Sequence, residues 1–272
     1  MNLQDKANEI RLRTFESIYS AGGGHYGGSL SAIEILTCLY YRLLRYRVNE
    51  PGWPERDIFI LAKGHAGPPL YTILADCGFF DPERLKELDK NGGTLPKHVD
   101  RKKVEGIEYS SGPLGQGLSV AVGAALASRL KNCDSYTYVL TGDGELDEGQ
   151  VWEAAMTAAK YHLNRLTVFV DRNRCQIDGT TEAVMDLEPL DQKWAAFGWH
   201  VQIVDGHDTE AICTAAATAE KVQDKPSVII ANTIKGKGVP FMEGQYKWHS
   251  GQITEEQYEA AHNELERRCA IK

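Results

Sequence analysis

Two short apolar runs, separated by an amphipathic segment, constrain the fold of this chain most strongly. Residues 136–140 and 166–170 have the length and composition of buried strands. Residues 148–161, between them, predict a helix because small apolar residues recur at core-facing spacing: Val151, Ala154, Ala155, Ala158 and Ala159. A strand, a helix and a strand in this order form a unit of two parallel strands, whose carboxyl ends lie at the same edge of the sheet.

Polar residues follow both apolar runs. Gly142-Asp143-Gly144 comes after the first run, and Asp171-Arg172-Asn173 ends the second. We therefore expect the Asp143 carboxylate and the Asn173 carboxamide to lie side by side, as suits Mg²⁺, which takes few protein oxygens and several from bound phosphates. The alternative is a plain Gly-Asp-Gly turn. The strand before it, the helix after it and the matching Asn favour a binding site.

The rest of the chain shows the same alternation of strands and helices. Helices are predicted at about 3–20, 29–45, 68–77, 82–90, 115–131, 148–162, 189–197, 208–222 and 254–267. Strands are predicted at about 57–62, 136–141, 166–171, 200–204 and 227–233. This pattern predicts an α/β fold, a single domain over residues 1–272 with a mostly parallel β-sheet flanked by helices on both faces.

Charge and hydropathy exclude several classes of partner. The formal net charge is −8 and no Lys/Arg-rich stripe is present, which argues against nucleic acid. No apolar segment is long enough to predict a membrane span. The six cysteines are scattered without a C-x-x-C pair, so free thiols and a cytoplasmic location are expected.

One glycine pattern near the start points to a different class of site. Gly22, Gly24 and Gly27 match the dinucleotide-binding pattern G-x-G-x-x-G. These glycines follow a predicted helix, whereas the dinucleotide fold requires them between a strand and a helix. The sequence context therefore argues against a dinucleotide site.

Seven segments of the chain resemble the N-terminal part of transketolase, a thiamin diphosphate (ThDP) enzyme. In family order they are Gly24–Ser29, Lys63–His65, Gly112–Gly117, Gly142–Gly149, Asp171–Gly179, Asp205–Asp208 and Lys235–Gly238. The Gly112–Gly117 hexamer discriminates best, because related ThDP synthases that make deoxyxylulose phosphate lack it in this form. The resemblance runs from residue 24 to about residue 250, and it implies the ThDP-binding PP-type fold.

The resemblance implies a cofactor site and its ligands. Mg²⁺, for which Ca²⁺ or Mn²⁺ can substitute, would be bound by Asp143, Asn173 and the backbone carbonyl of Cys175. The cofactor itself would contact residues from several loops: His65, Gly112, Pro113, Leu114, Gly142, Asp143, Gly144, Glu148, Asn173, Lys235 and His249. Gly144 would let the backbone approach the diphosphate closely.

Four histidines match family positions around the cofactor's thiazolium ring and the substrate: His25, His65, His98 and His249. Imidazole titrates near neutrality and suits the proton transfers that accompany the breaking and forming of a ketose carbon–carbon bond. These four are the predicted catalytic residues.

The roles implied by the resemblance are open to a second interpretation at three positions. The family places Gly before and Pro after the third histidine, whereas here His98 lies between Lys97 and Val99, and a lysine there would alter acceptor preference. Lys235 matches a basic residue near the family active site, but it also fits a solvated loop. Glu148 matches a glutamate at the family's subunit interface, and it equally fits the first turn of a helix, where the dipole favours a carboxylate.

The resemblance also implies a partner. Transketolases use a pyrimidine domain, which carries the glutamate that activates the cofactor, and a C-terminal domain; neither matches this chain. We therefore expect the N-terminal subunit of a split transketolase, assembling as α2β2 with a C-terminal subunit. It would transfer a two-carbon ketol unit from a ketose phosphate to an aldose phosphate. The alternatives are another ThDP ketol transferase or synthase acting on unusual sugars, and a non-catalytic ThDP-binding partner.

Overall fold

A computed structural model describes residues 2–270, so residue 1 and residues 271 and 272 of the predicted domain lie outside the described part. Within it, five strands form one sheet: β1 (Ile58–Leu61), β2 (Thr137–Gly142), β3 (Leu166–Arg172), β4 (His200–Asp205) and β5 (Ser227–Asn232). The strand order is β1-β2-β3-β5-β4, and each neighbouring pair is parallel. The predicted parallel sheet is confirmed.

Ten α-helices surround this sheet in the described chain. They are α1 (Leu3–Ser20), α2 (Tyr26–Ser31), α3 (Ile33–Cys38), α4 (Gly67–Asp76), α5 (Gln116–Leu130), α6 (Gly149–Lys160), α7 (Thr181–Val184), α8 (Leu190–Ala196), α9 (Thr209–Ala219) and α10 (Glu255–Ala270). Short 3-10 helices occupy Gly64–Ala66, Pro82–Glu87, Gly144–Asp147 and Tyr246–His249, and a π-helical turn occupies Leu39–Leu43.

Successive residues of the strands face opposite sides of the sheet, and each side has its own core. Phe169 packs in the core formed with α1–α4, α9 and α10, whereas Val168 and Val170 pack in the core formed with α5, α6 and α8. Helices on both faces are thereby confirmed. All six cysteines are free thiols. Among residues 2–270, the helices are too short or too polar to cross a membrane.

Two predicted helices differ from the observed ones. The helix predicted at 29–45 starts earlier, at Tyr26, breaks at Ala32 and ends in the π-helical turn. In its first turn, a Cβ on Gly27 would lie only 2.8 Å from Lys235 Cγ, which requires glycine, and a Cβ on Gly28 would make a tight contact of 3.2 Å with His65 Nε2. The helix predicted at 82–90 is a 3-10 helix that ends at residue 87, since the buried Leu88 has a non-helical ψ of 125°.

Candidate active site

Asp143 and Asn173 lie side by side at the carboxyl edge of the sheet. Asp143 directly follows β2, Asn173 directly follows β3, and Gly142 pairs with Asp171 in the parallel register of the two strands. Both side chains are buried, with Asp143 1% and Asn173 8% exposed. The strand-helix-strand unit predicted from the sequence therefore places these two groups together.

Hydrogen bonds fix the Asp143 carboxylate in one orientation. Its Oδ1 accepts from the Gly144 N–H at 2.9 Å, and its Oδ2 accepts from the Arg174 N–H at 2.5 Å and from Arg172 Nη1 at 3.2 Å. Burial, and after it the neighbouring Asp171 carboxylate, raises the pKa of Asp143 to about 6. A buried carboxylate whose ionisation is disfavoured, and whose Oδ1 accepts a single hydrogen bond, fits a cation-binding role.

Asn173 and Cys175 complete the predicted ligand set. The Cys175 N–H donates to Asn173 Oδ1 at 3.2 Å, and the Cys175 carbonyl accepts from Lys235 Nζ at 3.4 Å. Residues 2–270 contain no cluster of three or more His, Cys, Asp or Glu side chains that could hold a metal ion. A carboxylate, a carboxamide and a main-chain carbonyl are all oxygen donors, and such a set suits a hard cation rather than zinc.

Lys235 carries a positive charge that is buried beside the predicted cation ligands. Its side chain is 2% exposed, and its polar contacts among the described residues are the Cys175 carbonyl and His249 Nδ1, each at 3.4 Å. Burial lowers the pKa of its ammonium group. Because buried charges are normally paired, this ammonium fits an anionic group of a ligand. The burial argues against the alternative of a solvated loop lysine.

A pocket with an empty volume of about 690 Å³ joins these groups. Nine of the predicted site residues line it: His65, Leu114, Gly142, Asp143, Gly144, Asn173, Cys175, Lys235 and His249. A Cβ on Gly144 would lie 2.9 Å from the Gln176 side chain. Gln176 therefore packs closely against this glycine. The pocket walls therefore include the buried Asp143 carboxylate, the buried Lys235 ammonium and the imidazoles of His65 and His249.

The four predicted histidines form one cluster around His25. The centroid of its ring lies 5.3 Å from that of His65, 5.7 Å from that of His98 and 5.4 Å from that of His249. Burial lowers the pKa of His25 and of His249 to about 4, and that of His65 well below its ordinary range. These three imidazoles are therefore neutral at pH 7. The buried Nδ1 of His25 has no hydrogen-bond partner within residues 2–270, so this ring retains capacity for a ligand.

Besides His25, four predicted residues do not line the pocket: His98, Gly112, Pro113 and Glu148. His98 is exposed, and a Cβ on Gly112 would lie 3.9 Å from its ring. Pro113 is also exposed. Glu148 is exposed at the N-terminus of α6, without a capping hydrogen bond from its side chain.

Sequence reasoning missed two pocket residues with buried charged side chains, Lys63 and Glu145. Glu145 accepts from the N–H groups of Gly115 at 2.9 Å and Gly142 at 3.1 Å, which ties the loop before α5 to the end of β2. Burial raises the pKa of Glu145 to about 7. Lys63 closely follows an apolar strand, and that position is the signal that would have revealed it.

Comparison with known proteins agrees with this geometry. The sequence profile described as "Transketolase, thiamine diphosphate binding domain" matches residues 3–268. The chain belongs to the transketolase family. Its resemblance to transketolase is thus confirmed, and the described fold is that of the family's N-terminal ThDP-binding domain.

Family members similar to this chain include separate subunits and complete enzymes. The 6-deoxy-6-sulfo-D-fructose transketolase subunit SqwG of Clostridium sp. (strain MSTE9) is 50% identical over 99% of this chain and 98% of its own length. An apulose-4-phosphate transketolase subunit from Phocaeicola vulgatus is 43% identical over 98% of this chain and 94% of its own length. The crystal structure of Campylobacter jejuni transketolase superposes with a TM-score of 0.91 at 32% identity, covering 98% of this chain and 43% of that one.

Proposed function

We propose that this chain is the ThDP- and Mg²⁺-binding subunit of a ketol transferase. It moves a two-carbon unit from a ketose to an aldose and acts together with a C-terminal subunit. The observation that carries the proposal is the cluster of neutral histidines around His25, which adjoins the pocket containing Asp143 and Lys235. The groups proposed to bind the cofactor and to transfer protons thus lie at one edge of the sheet.

The pocket has groups suited to each part of the cofactor. Asp143, Asn173 and the Cys175 carbonyl would hold Mg²⁺, while the Lys235 ammonium would compensate diphosphate charge. Leu114 would pack against the apolar part of the cofactor, since it lines the same pocket. When bound, the cofactor supplies the electron sink for breaking the ketose carbon–carbon bond.

The histidines would move the protons of this reaction. As the bond breaks, a donor hydroxyl becomes a carbonyl and must lose its proton, and the proton returns when the new bond forms in the acceptor. A neutral imidazole can accept that proton, and the low pKa values of His25 and His249 keep both rings neutral at pH 7. A second neutral imidazole lies close to the first, since the ring centroids of His65 and His249 are 5.0 Å apart.

The proposal that this chain has a partner subunit rests on relatives that are named as subunits. Two of them carry the word subunit in their names and match this chain over nearly their whole length, whereas Campylobacter transketolase is more than twice as long as the matched part. We propose an assembly of two copies of each chain, because transketolase-like sites form across a two-fold axis. The partner would contribute the pyrimidine and C-terminal domains.

For the substrate, the names of two relatives favour the alternative of a ketol transferase that acts on unusual sugars. One relative is named for 6-deoxy-6-sulfo-D-fructose and another for apulose 4-phosphate, and both sugars carry an anionic group. We therefore propose an anionic ketose donor, which includes ordinary ketose phosphates without being limited to them. The convergence of Asp143, Asn173 and the histidine cluster argues against a non-catalytic ThDP-binding partner.

Reconstitution with the C-terminal subunit encoded in the same genome tests this function. Each chain alone and the mixture would be assayed for ketol transfer with ThDP, Mg²⁺ and anionic ketose donors. We expect turnover from the mixture only. Full turnover by the 272-residue chain alone would contradict the split enzyme, and a mixture that binds ThDP but turns over no ketose would favour the non-catalytic alternative.

A further inference from the structure

One motif of the sequence lies outside the pocket, the segment Asp205–Asp208 that joins β4 to α9. Asp205 Oδ1 accepts from the His207 N–H at 2.8 Å, which closes a tight turn. A Cβ on Gly206 would lie 2.4 Å from Thr233 Cγ2, so glycine is required where this turn packs against the segment that follows β5. The motif therefore places the His207 side chain beside the part of the chain that leads to the pocket.

The His207 side chain extends the pairing of β4 with β5. The Gly206 N–H donates to the Asn232 carbonyl at 2.7 Å, one residue beyond the end of β4. Ile234 lies two residues beyond Asn232, so its main-chain groups point to the same side of the extended chain. Its N–H donates to His207 Nε2 at 2.8 Å. The imidazole thus takes the place of a main-chain acceptor and holds the residue directly before Lys235.

Glu34, in α3, orients this imidazole. His207 Nδ1 lies 3.1 Å from Glu34 Oε2, and Arg11 Nη2 donates to Glu34 Oε1 at 2.5 Å. Burial acts to raise the pKa of Glu34, which is 1% exposed, but the Arg11 charge and the His207 hydrogen bond hold that pKa below its ordinary value. An ionised carboxylate can only accept, so Nδ1 carries the imidazole proton and Nε2 is the acceptor for the Ile234 N–H.

The position of the main chain at Ile234 decides where the Lys235 ammonium lies. The Lys235 side chain is buried, and its stem fills the space beside Gly27, where a Cβ would lie 2.8 Å from Lys235 Cγ. Its Nζ lies 3.4 Å from the Cys175 carbonyl, beside the predicted cation ligands. Because a close-packed interior transmits displacements, a shift at Ile234 moves this ammonium relative to the cation site.

We infer that His207 is a positioning residue for Lys235: its imidazole, oriented by Glu34, sets the Lys235 ammonium in the place where it meets the diphosphate of the cofactor. This inference rests on the proposed function, in which Lys235 compensates diphosphate charge. His207 does not line the pocket, so it acts through the hydrogen bond from Ile234 and not by contact with the cofactor.

Two substitutions of His207 separate its two side-chain hydrogen bonds. The side-chain amide of asparagine reaches about as far as Nδ1, so His207→Asn keeps a donor for Glu34 and removes the acceptor for Ile234. The longer glutamine reaches about as far as Nε2, so His207→Gln keeps the acceptor and removes the donor. A positioning role requires the acceptor, whereas a role confined to satisfying the buried Glu34 carboxylate requires the donor.

Calorimetric titration of the assembled two-chain enzyme with ThDP and Mg²⁺ measures the consequence. His207→Asn should raise the Kd for ThDP about fivefold, the effect of losing one neutral hydrogen bond. His207→Gln should keep the Kd near the wild-type value. In the Lys235→Met background, His207→Asn should change the Kd no further, because the ammonium that it would displace is absent. In the chain without cofactor, the Ile234 amide should exchange its hydrogen faster in His207→Asn than in the wild type or His207→Gln.

His262→Asn is the matched control, because His262 Nε2 also contacts a glutamate, Glu16 at 2.9 Å, but lies on α10 and does not line the pocket. It should leave the Kd for ThDP unchanged. The inference would be overturned, while the proposed function stands, by an unchanged Kd or unchanged Ile234 exchange in His207→Asn, by an equal effect of both His207 variants, or by the same fold-change in the Lys235→Met background. A wild-type complex without Mg²⁺-dependent ThDP binding would contradict the proposed function and this inference together.

Discussion

Lys63 and Asp171 form a buried ion pair across the carboxyl end of β2. Lys63 follows β1 and Asp171 lies in β3, and the strand order places β2 between them. Asp171 also accepts hydrogen bonds from Ser31 Oγ at 2.6 Å and from the Thr233 hydroxyl. One carboxylate thus connects α2, β1, β3 and the end of β5 at the edge of the sheet that forms the site.

Breaking this ion pair should strongly destabilise the fold. Lys63→Met leaves the Asp171 carboxylate buried without its cation, and we expect a loss of about 3–5 kcal/mol in the free energy of unfolding. Urea denaturation measures it. The exposed pair Lys86–Glu83 provides the control, since Glu83→Gln should leave the denaturation midpoint unchanged. If Lys63→Met unfolds at the wild-type urea concentration, the pair does not stabilise the fold.

Replacing the inner histidines should separate catalysis from cofactor binding. His25→Ala, His65→Ala and His249→Ala should each lower kcat of the assembled enzyme by about 10²-fold, a typical contribution of acid–base catalysis. ThDP affinity should change much less, because the cation ligands and Lys235 remain. His98→Ala should have a smaller effect, since its ring is exposed. An inner variant with wild-type kcat would remove that histidine from the catalytic set.

The same histidines predict a loss of stability in acid. Burial lowers the pKa of His25 and of His249 from the ordinary 6.5 to about 4. As pH falls, the unfolded chain takes up these protons near pH 6.5 and the folded chain only near pH 4. Their contribution to stability is therefore complete above pH 6.5 and is lost as pH falls toward 4.

Denaturation midpoints measured between about pH 7.5 and about pH 4 check this sign. The His25→Gln/His249→Gln double variant should lose less stability over that interval than the wild type does, because glutamine does not titrate. NMR titration of the imidazoles should give pKa values below 6.5 for both rings. A double variant with the same acid sensitivity as the wild type would contradict the buried, neutral state of these rings.

Lys235→Met should change stability and affinity in opposite directions. In the free chain it removes a buried ammonium whose polar contacts are a carbonyl and an imidazole, so we expect the free energy of unfolding to increase by about 1–4 kcal/mol, as for buried charges replaced by apolar groups of similar volume. ThDP affinity should fall, because the Lys235 ammonium no longer compensates diphosphate charge. Thermal unfolding and calorimetric titration measure the two effects. Unchanged affinity would show that Lys235 does not contact the anion.

The strands and the pair of site residues after them could be predicted from sequence because both depend on local pattern. Apolar runs such as the one that contains Val168 and Val170 are buried on both faces of the sheet, and the residues directly after them reach its carboxyl edge. Asp143 and Asn173 are therefore neighbours by topology alone. Their predicted roles in binding a cation remain predictions.

Contacts between distant segments could not be predicted in the same way. At the start of α2, Lys235 and His65 pack close to the positions that side chains at Gly27 and Gly28 would occupy. Because glycine has a low helix propensity, the sequence pattern predicts a helix that starts only at about residue 29. The Lys63–Asp171 pair, likewise, requires the strand order of the whole sheet, which no local pattern contains.

Calorimetric titration with ThDP tests the central claim most directly. It would be carried out with and without Mg²⁺, on the chain alone and assembled with its partner, comparing the wild type with Asp143→Asn and Asn173→Ala. Asp5 and Asn263, exposed on α1 and α10, provide the matched control variants Asp5→Asn and Asn263→Ala. We predict Mg²⁺-dependent binding by the wild type and both controls, and loss of that binding in both site variants without unfolding. Equal ThDP affinity in the wild type and both site variants would contradict the assignment of this pocket.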